Sequence, residues 1–439
     1  MAVFAIFLQF VLTGNLLATF GIDVNIRVHP ASMIVLLCAI YAMLSGVVPF
    51  HQRCRDAPGL MLFVFGIPML AMYAAFFNGF SGTAFYFDSF WSPALLALLL
   101  EPATDKQKRL LAKILMTFIL ANCLVGLIES VTEHNWFPFL PSDPKLAAMA
   151  IKAEGDFRAN AFYSHPLTAS LITAMGVFLL YSMRIRFIGS ALILGVLLVG
   201  LLEFGGRAAL GVTLIVSALA AFYVLMTGIL RRNLKLDFVL AIVSAAIILP
   251  ILITVIVTQT TIADRIIDSL FHDDAGSASV RTQQWVVLNF LTLKNWLFGV
   301  PMVELEHLRY QIGLSDVEDI ENFWLLIFLD LGLIGFGAFV CLFGGFLVHV
   351  TRFAGGMNAW LLMFSALVID SSSNSLGQKS NDLFIEVAAL IAMAGYKNYV
   401  REPRVRRFRH RLEIRRLHDG LAQSPPIHGR GDDLRGLRS

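Results

Sequence analysis

Apolar runs of membrane length recur along almost the whole chain, and nothing else constrains its fold so tightly. A hydrocarbon core about 30 Å thick is crossed by roughly 17–25 apolar residues in a helix. Runs that fit fall at 2–20, 31–50, 59–77, 87–100, 110–129, 164–183, 187–203, 208–230, 236–257, 322–349, 357–370 and 383–399. A transmembrane barrel would instead show segments of about ten residues with alternating polarity. Charged residues make up 15% of the chain and the mean hydropathy is +0.73, whereas soluble domains are about a quarter charged. The expectation is an all-α polytopic integral membrane protein with about twelve transmembrane helices. The runs at 87–100 and 357–370 are short enough to be tilted, re-entrant or only partly spanning. The first run has no basic n-region and no small-residue cleavage site before Gly21, so it reads as a retained helix and not as a signal peptide.

Orientation follows from the Lys/Arg bias of short loops. Arg53 and Arg55, then Lys106, Lys108 and Arg109, then Arg184 and Arg186, then Arg231, Arg232 and Lys235, and finally Arg352 all fall on one side. That side reads as the cytoplasmic face of an inner-membrane-type protein, with both termini there. The periplasmic loops are then 130–163, the turn Gly205-Gly206-Arg207 and the long loop 258–321. From Lys397 onward, 12 Lys/Arg stand against 5 Asp/Glu, a net +7 that leaves −4 for the rest of a chain totalling +3. Residues 1–400 therefore read as the membrane domain and 401–439 as a basic, disordered cytoplasmic tail. Placed directly after the last span, that tail suits topology setting and contact with anionic head groups of the lipid bilayer. It speaks against a nucleic-acid partner, which its composition alone would permit. Cys38, Cys54, Cys123 and Cys341 stand singly in or beside apolar runs, without metal-ligand spacing, and read as small buried residues. No metal and no cofactor are expected.

The long loop is the main polar interruption, and loops of that length in a compact domain are functional or disordered. Its tryptophans, Trp285 and Trp296, and a helical apolar stripe speak for a folded segment. Val286, Phe290, Leu293 and Leu297 recur at helical spacing over 280–298, which predicts one amphipathic helix stopped by Gly299-Val300-Pro301. On it Arg281 and Trp285 share a face. Four external arginines stand beside membrane surfaces: Arg158, Arg207, Arg265 and Arg281. An arginine fork stays charged and donates two parallel hydrogen bonds, which suits phosphate. At Arg207 two glycines would let a ligand near the backbone, and the N-terminus of the helix it opens favours an anion. The bland alternative for each is a snorkelling anchor. The loop itself is acidic, with Arg265, Arg281, Lys294 and Arg309 against nine carboxylates before Glu321, so any phosphate binding must rest on local geometry.

Glu321-Asn322 sits where the next apolar helix begins. Glu321 is either an N-terminal partner of the helix dipole or a general base for a sugar hydroxyl, and a carboxyl with an ordinary pKa near 4.3 is available at neutral pH. His165 and Asp319 are the fallback bases. Asp330 and Asp370 lie in or at the end of spans, where carboxylates are functional candidates.

Taken together, these residues resemble a family. Arg158 with Phe162-Tyr163-Ser164-His165-Pro166, Gly205-Gly206-Arg207-Ala208-Ala209, Arg281-Thr282-Gln283-Gln284-Trp285 with Leu297-Phe298-Gly299-Val300, and Glu321-Asn322 with Leu331-Gly332-Leu333-Ile334-Gly335 follow in order over about 155–340. They are similar to motifs of the bacterial O-antigen ligase and Wzy-type polysaccharide polymerase superfamily, the VpsF-like biofilm-polysaccharide proteins among them. The resemblance implies a GT-C-like, metal-independent glycosyltransferase. Its donor would be undecaprenyl-diphosphate-linked oligosaccharide on the periplasmic face, its acceptor the growing polysaccharide chain, and its neighbours flippase and export machinery. Arg207 and Arg281 would hold the diphosphate, with Arg158 an auxiliary contact. Two departures stand out: Gly206 replaces the usual serine, and Glu321 replaces the ligase histidine, a loss that favours a polymerase. The alternatives are an O-antigen-type ligase acting on a lipid or protein and, in a different class, a lipid-linked-glycan flippase or transporter.

Overall fold

In a low-dielectric surrounding every backbone N–H and C=O needs an internal partner, and a continuous apolar run meets that need as a helix. The computed structural model describes residues 5–6, 28–79, 83–137, 157, 159–163, 165–183, 185–230, 284–301, 304–305, 307–308, 320, 322–373 and 382–397. Among these there is no strand. Residues 1–396 form one compact unit and 397–439 a second.

The first helices are α1 (Pro30–Leu44), α2 (Phe50–Asp56) and α3 (Pro58–Asn78). A short α4 (Thr83–Tyr86) then runs through a π-helical turn, Phe87–Trp91, into α5 (Ser92–Leu100). The middle holds α6 (Asp105–Thr132), α7 (Pro166–Ser182), α8 (Phe187–Glu203) and α9 (Arg207–Leu230). After a 3-10 turn, Trp285–Phe290, come α10 (Leu293–Phe298), α11 (Phe323–Ala354), α12 (Met357–Ser373) and α13 (Asp382–Lys397). These helices overlap the apolar runs of the described residues, although α1 stops at Leu44 within the run 31–50; of the runs at 2–20 and 236–257 only residues 5–6 are described. Among the described residues four helices, α3, α6, α9 and α11, are long and apolar enough to cross a membrane. Their outward faces carry large apolar side chains, such as Met69, Met72 and Phe76 at 70%, 73% and 83% exposure, as lipid contact requires.

Between apolar helices there is no hydrophobic drive in lipid, so small residues and close packing hold them. The α3–α11 pair shows this directly. A side chain at Gly59 would stand 2.8 Å from the Gly345 carbonyl oxygen, and Phe63 stacks on Phe346 with centroids 4.4 Å apart. The two ends of the bundle differ. At one end Glu101, with its side chain 1% exposed, accepts from Arg53 (3.1 Å) and pairs with His349 (2.7 Å). There too Lys108 donates to the Glu101 carbonyl and Arg109 to the Gly395 carbonyl. The opposite end gathers the helix starts that carry the sequence motifs.

The segment 284–298 is folded, but not as one amphipathic helix. Leu291 and Thr292 are extended, and the Thr292 hydroxyl caps α10 by accepting from the Asn295 N–H at 3.2 Å. That cap ends the first turn and rotates the second. The expected stripe is consequently not the buried one: Val286, Phe290 and Leu293 are 40%, 47% and 77% exposed, while Val287 and Asn295 are buried. Val287 joins Val300, Leu308, Ile320, Leu325 and Leu329 in a small second core against the first turns of α11.

Candidate functional site

At the motif-bearing end α1, α7, α9, α11 and α13 begin, and α6 and α12 end. Three starts are capped by the residue the sequence provides. His165 caps α7 through Nδ1, which accepts from the Leu167 N–H at 3.2 Å, with Pro166 in the first helical position. His29-Pro30 repeats the device at α1, where Nδ1 accepts from the Ala31 N–H at 3.1 Å and the His29 N–H donates to the buried Asp88 carboxylate. Asn322 caps α11, its Oδ1 accepting from the Leu325 N–H at 3.0 Å. Both predicted site residues of this group, His165 and Asn322, are thus engaged as caps.

Arg207 is the first residue of α9, as its position after two glycines predicts, and its side chain is exposed. The turn before it is tight: Gly205 has φ +64° and its carbonyl accepts from the Arg207 N–H at 3.0 Å. Gly206 does not open the backbone to a ligand. It is buried against α7, and a side chain there would stand 2.5 Å from the Ser170 Cβ and overlap its hydroxyl. The space a serine would take at this position is therefore already filled by Ser170.

The connecting segment before α7 is fastened by a carboxylate that sequence reading passed over. Glu129, fully buried in the last turn of α6, accepts from the Trp136 N–H at 2.9 Å on one oxygen and from the Asn160 and Ala161 N–H groups at 3.0 and 2.8 Å on the other. Asn122 adds an acceptor for the Phe162 N–H at 3.1 Å. Tyr163 follows, buried, its hydroxyl pushed well above the usual phenol range by burial and, secondarily, by Asp382.

Asp370 at the end of α12 lies within electrostatic reach of Asp382 and Glu386 at the start of α13, and all three are fully buried. Asp370 was visible in sequence as an apolar-helix carboxylate. Asp382 and Glu386 carried the signal of two carboxylates four apart opening an apolar run. Next to them the Trp324 indole donates to the Ser371 hydroxyl at 2.8 Å, which ties the start of α11 to the end of α12. Asp330 takes a hydrogen bond from the Tyr86 hydroxyl, a partner 244 residues away.

The motif segments therefore share one end of the helices. Gly206 touches Ser170 near the start of α7, Asp382 acts on Tyr163, and Trp324 holds Ser371. Arg158, Arg265, Arg281, Asp319 and Glu321 lie outside the described residues, so the meeting of Arg207 with Arg281 is not among the observed contacts. No protein-family model matches the chain, and no curated protein matches it. What the described residues offer is an exposed guanidinium at a helix N-terminus, beside a clamped loop and a group of buried carboxylates. The guanidinium and the helix N-terminus are the part of this arrangement that suits an anionic ligand; the buried carboxylates do not attract one.

Proposed function

We propose that the chain is a membrane polysaccharide polymerase, GT-C-like and spanning the bacterial inner membrane about twelve times. It would transfer glycan units from undecaprenyl diphosphate to a growing chain at its periplasmic face. The observation that carries the reading is that motif segments far apart in sequence, at 159–163, 165, 205–207, 297–300 and 322–335, lie toward the bundle end opposite the one where Arg53, Lys108 and Arg109 cluster. The basic end would be cytoplasmic by the charge rule, which sets the motif end in the periplasm. Arg207, with Arg281 and Arg158, holds the diphosphate and stabilises the charge that develops as it leaves. Glu321 takes the proton of the incoming sugar hydroxyl. The reaction breaks the sugar–phosphate bond, forms a glycosidic bond and releases the lipid diphosphate.

A second reading, a lipid-linked-glycan flippase or transporter, draws on the buried group Asp370, Asp382 and Glu386, since intramembrane carboxylates often mark proton relays. Deleting the gene in its own host separates the two. Single repeat units still exposed at the periplasmic face on the lipid carrier are expected of a lost polymerase. Units trapped on the cytoplasmic face would contradict it and favour the flippase.

A further inference from the structure

Helix α11 is broken at Gly332, which has φ +61° and ψ −179°. Such a break frees the carbonyls of the preceding turn, and in a low-dielectric setting they need other donors. They find them on two different segments. The Leu329 carbonyl accepts from the Val300 N–H at 2.7 Å, and the Asp330 carbonyl accepts from the Asn78 side-chain amide at the end of α3. The Asp330 carboxylate in turn accepts from the Tyr86 hydroxyl of α4.

The fit leaves room for no side chain at two points. A Cβ on Gly332 would stand 2.5 Å from the Leu297 carbonyl carbon and the Phe298 nitrogen. A Cβ on Gly299, which has φ +95°, would stand 2.7 Å from the Asn78 amide nitrogen and overlap the Asp330 carbonyl. Ring contacts flank the joint: Phe298 stacks on Phe77 at 4.7 Å and Trp296 meets Phe328 edge-on at 5.2 Å. Lifting Leu293–Val300 off the bundle would strand the Leu329 carbonyl and open the second core. The segment is therefore a keyed strut and not a lid.

We infer that Asn78 and Tyr86 are positioning residues, which hold the unwound turn of α11 in the shape that receives Gly299. The joint fixes the chain that follows Arg281 in register with the chain that follows Glu321. Its value for catalysis rests on the function proposed above; the joint itself does not.

The test is hydrogen–deuterium exchange on the full-length protein in lipid nanodiscs, comparing wild type with Asn78→Leu and Tyr86→Phe. Asn78→Leu keeps the approximate shape of the side chain and removes the donor. Leaving a carbonyl unsatisfied is expected to speed exchange over 293–300 about tenfold, with α6 unchanged. Tyr86→Phe should act in the same direction, more weakly. In a polymerisation assay both variants should need more lipid-linked donor for half-maximal rate. Unchanged exchange over 293–300, or an equal rise in α6, overturns the inference. If wild type makes no polymer, the proposed function falls, while the exchange result still decides the joint.

Discussion

Replacing Glu129 by glutamine tests how the segment 159–162 is held. The carboxylate is an acceptor on both oxygens and serves three backbone N–H groups at 2.8–3.0 Å, in a site with no solvent exposure. Glutamine keeps the shape but has one acceptor oxygen. If that oxygen stays with Asn160 and Ala161, the new NH2 faces the Trp136 N–H. One backbone donor then loses its acceptor and the amide gains none, each costing about 1–3 kcal/mol. A local loss of about 2–3 kcal/mol corresponds to roughly 30- to 150-fold faster amide exchange, at about 1.4 kcal/mol per tenfold. Exchange mass spectrometry on peptides covering Trp136 and on those covering 157–165 reads both sides of the clamp, and peptides from α11 serve as the internal reference. Exchange within a factor of about three of wild type would refute the clamp. The Phe137–Phe162 ring contact at 5.4 Å would then be what holds the segment.

Gly206→Ser should destabilise by about 1–3 kcal/mol through overpacking against Ser170, and Ser170→Gly should restore most of the loss, as thermal unfolding of both singles and the double in detergent would show. Glu101→Gln leaves Arg53 and His349 beside a neutral group in a nearly buried site, so a loss of about 3–5 kcal/mol is expected, read as a lower midpoint of thermal aggregation. Arg207→Lys keeps the charge but not the fork. Retained binding of undecaprenyl-diphosphate glycan at the wild-type level would show that the guanidinium geometry is not used.

The helices were legible because bilayer length and backbone satisfaction leave an apolar run one option. Arg207 as a helix start and Asn322 at the mouth of α11 were legible too, since caps and glycine turns act within a few residues. The stretch 280–298 reads as one helix because periodicity continues across Thr292, whereas the local cap there starts a new turn. Glu129, Asn78 and Tyr86 were missed for a different reason. Their partners lie 31, 252 and 244 residues away, and nothing in an apolar helix tells which neighbour a lone polar side chain will meet. Gly206 shows the same limit: its glycine is explained by Ser170, a contact that only tertiary packing creates.

The most direct measurement is a gel of products made by the purified protein in liposomes supplied with undecaprenyl-diphosphate-linked oligosaccharide alone. A ladder of chain lengths is the expected result, lost on Arg281→Ala together with donor binding. On Glu321→Gln it should slow by about 10²–10⁴-fold with donor binding kept. Donor that stays at a single repeat unit with the wild-type protein, under conditions where it is bound, would contradict a polymerase.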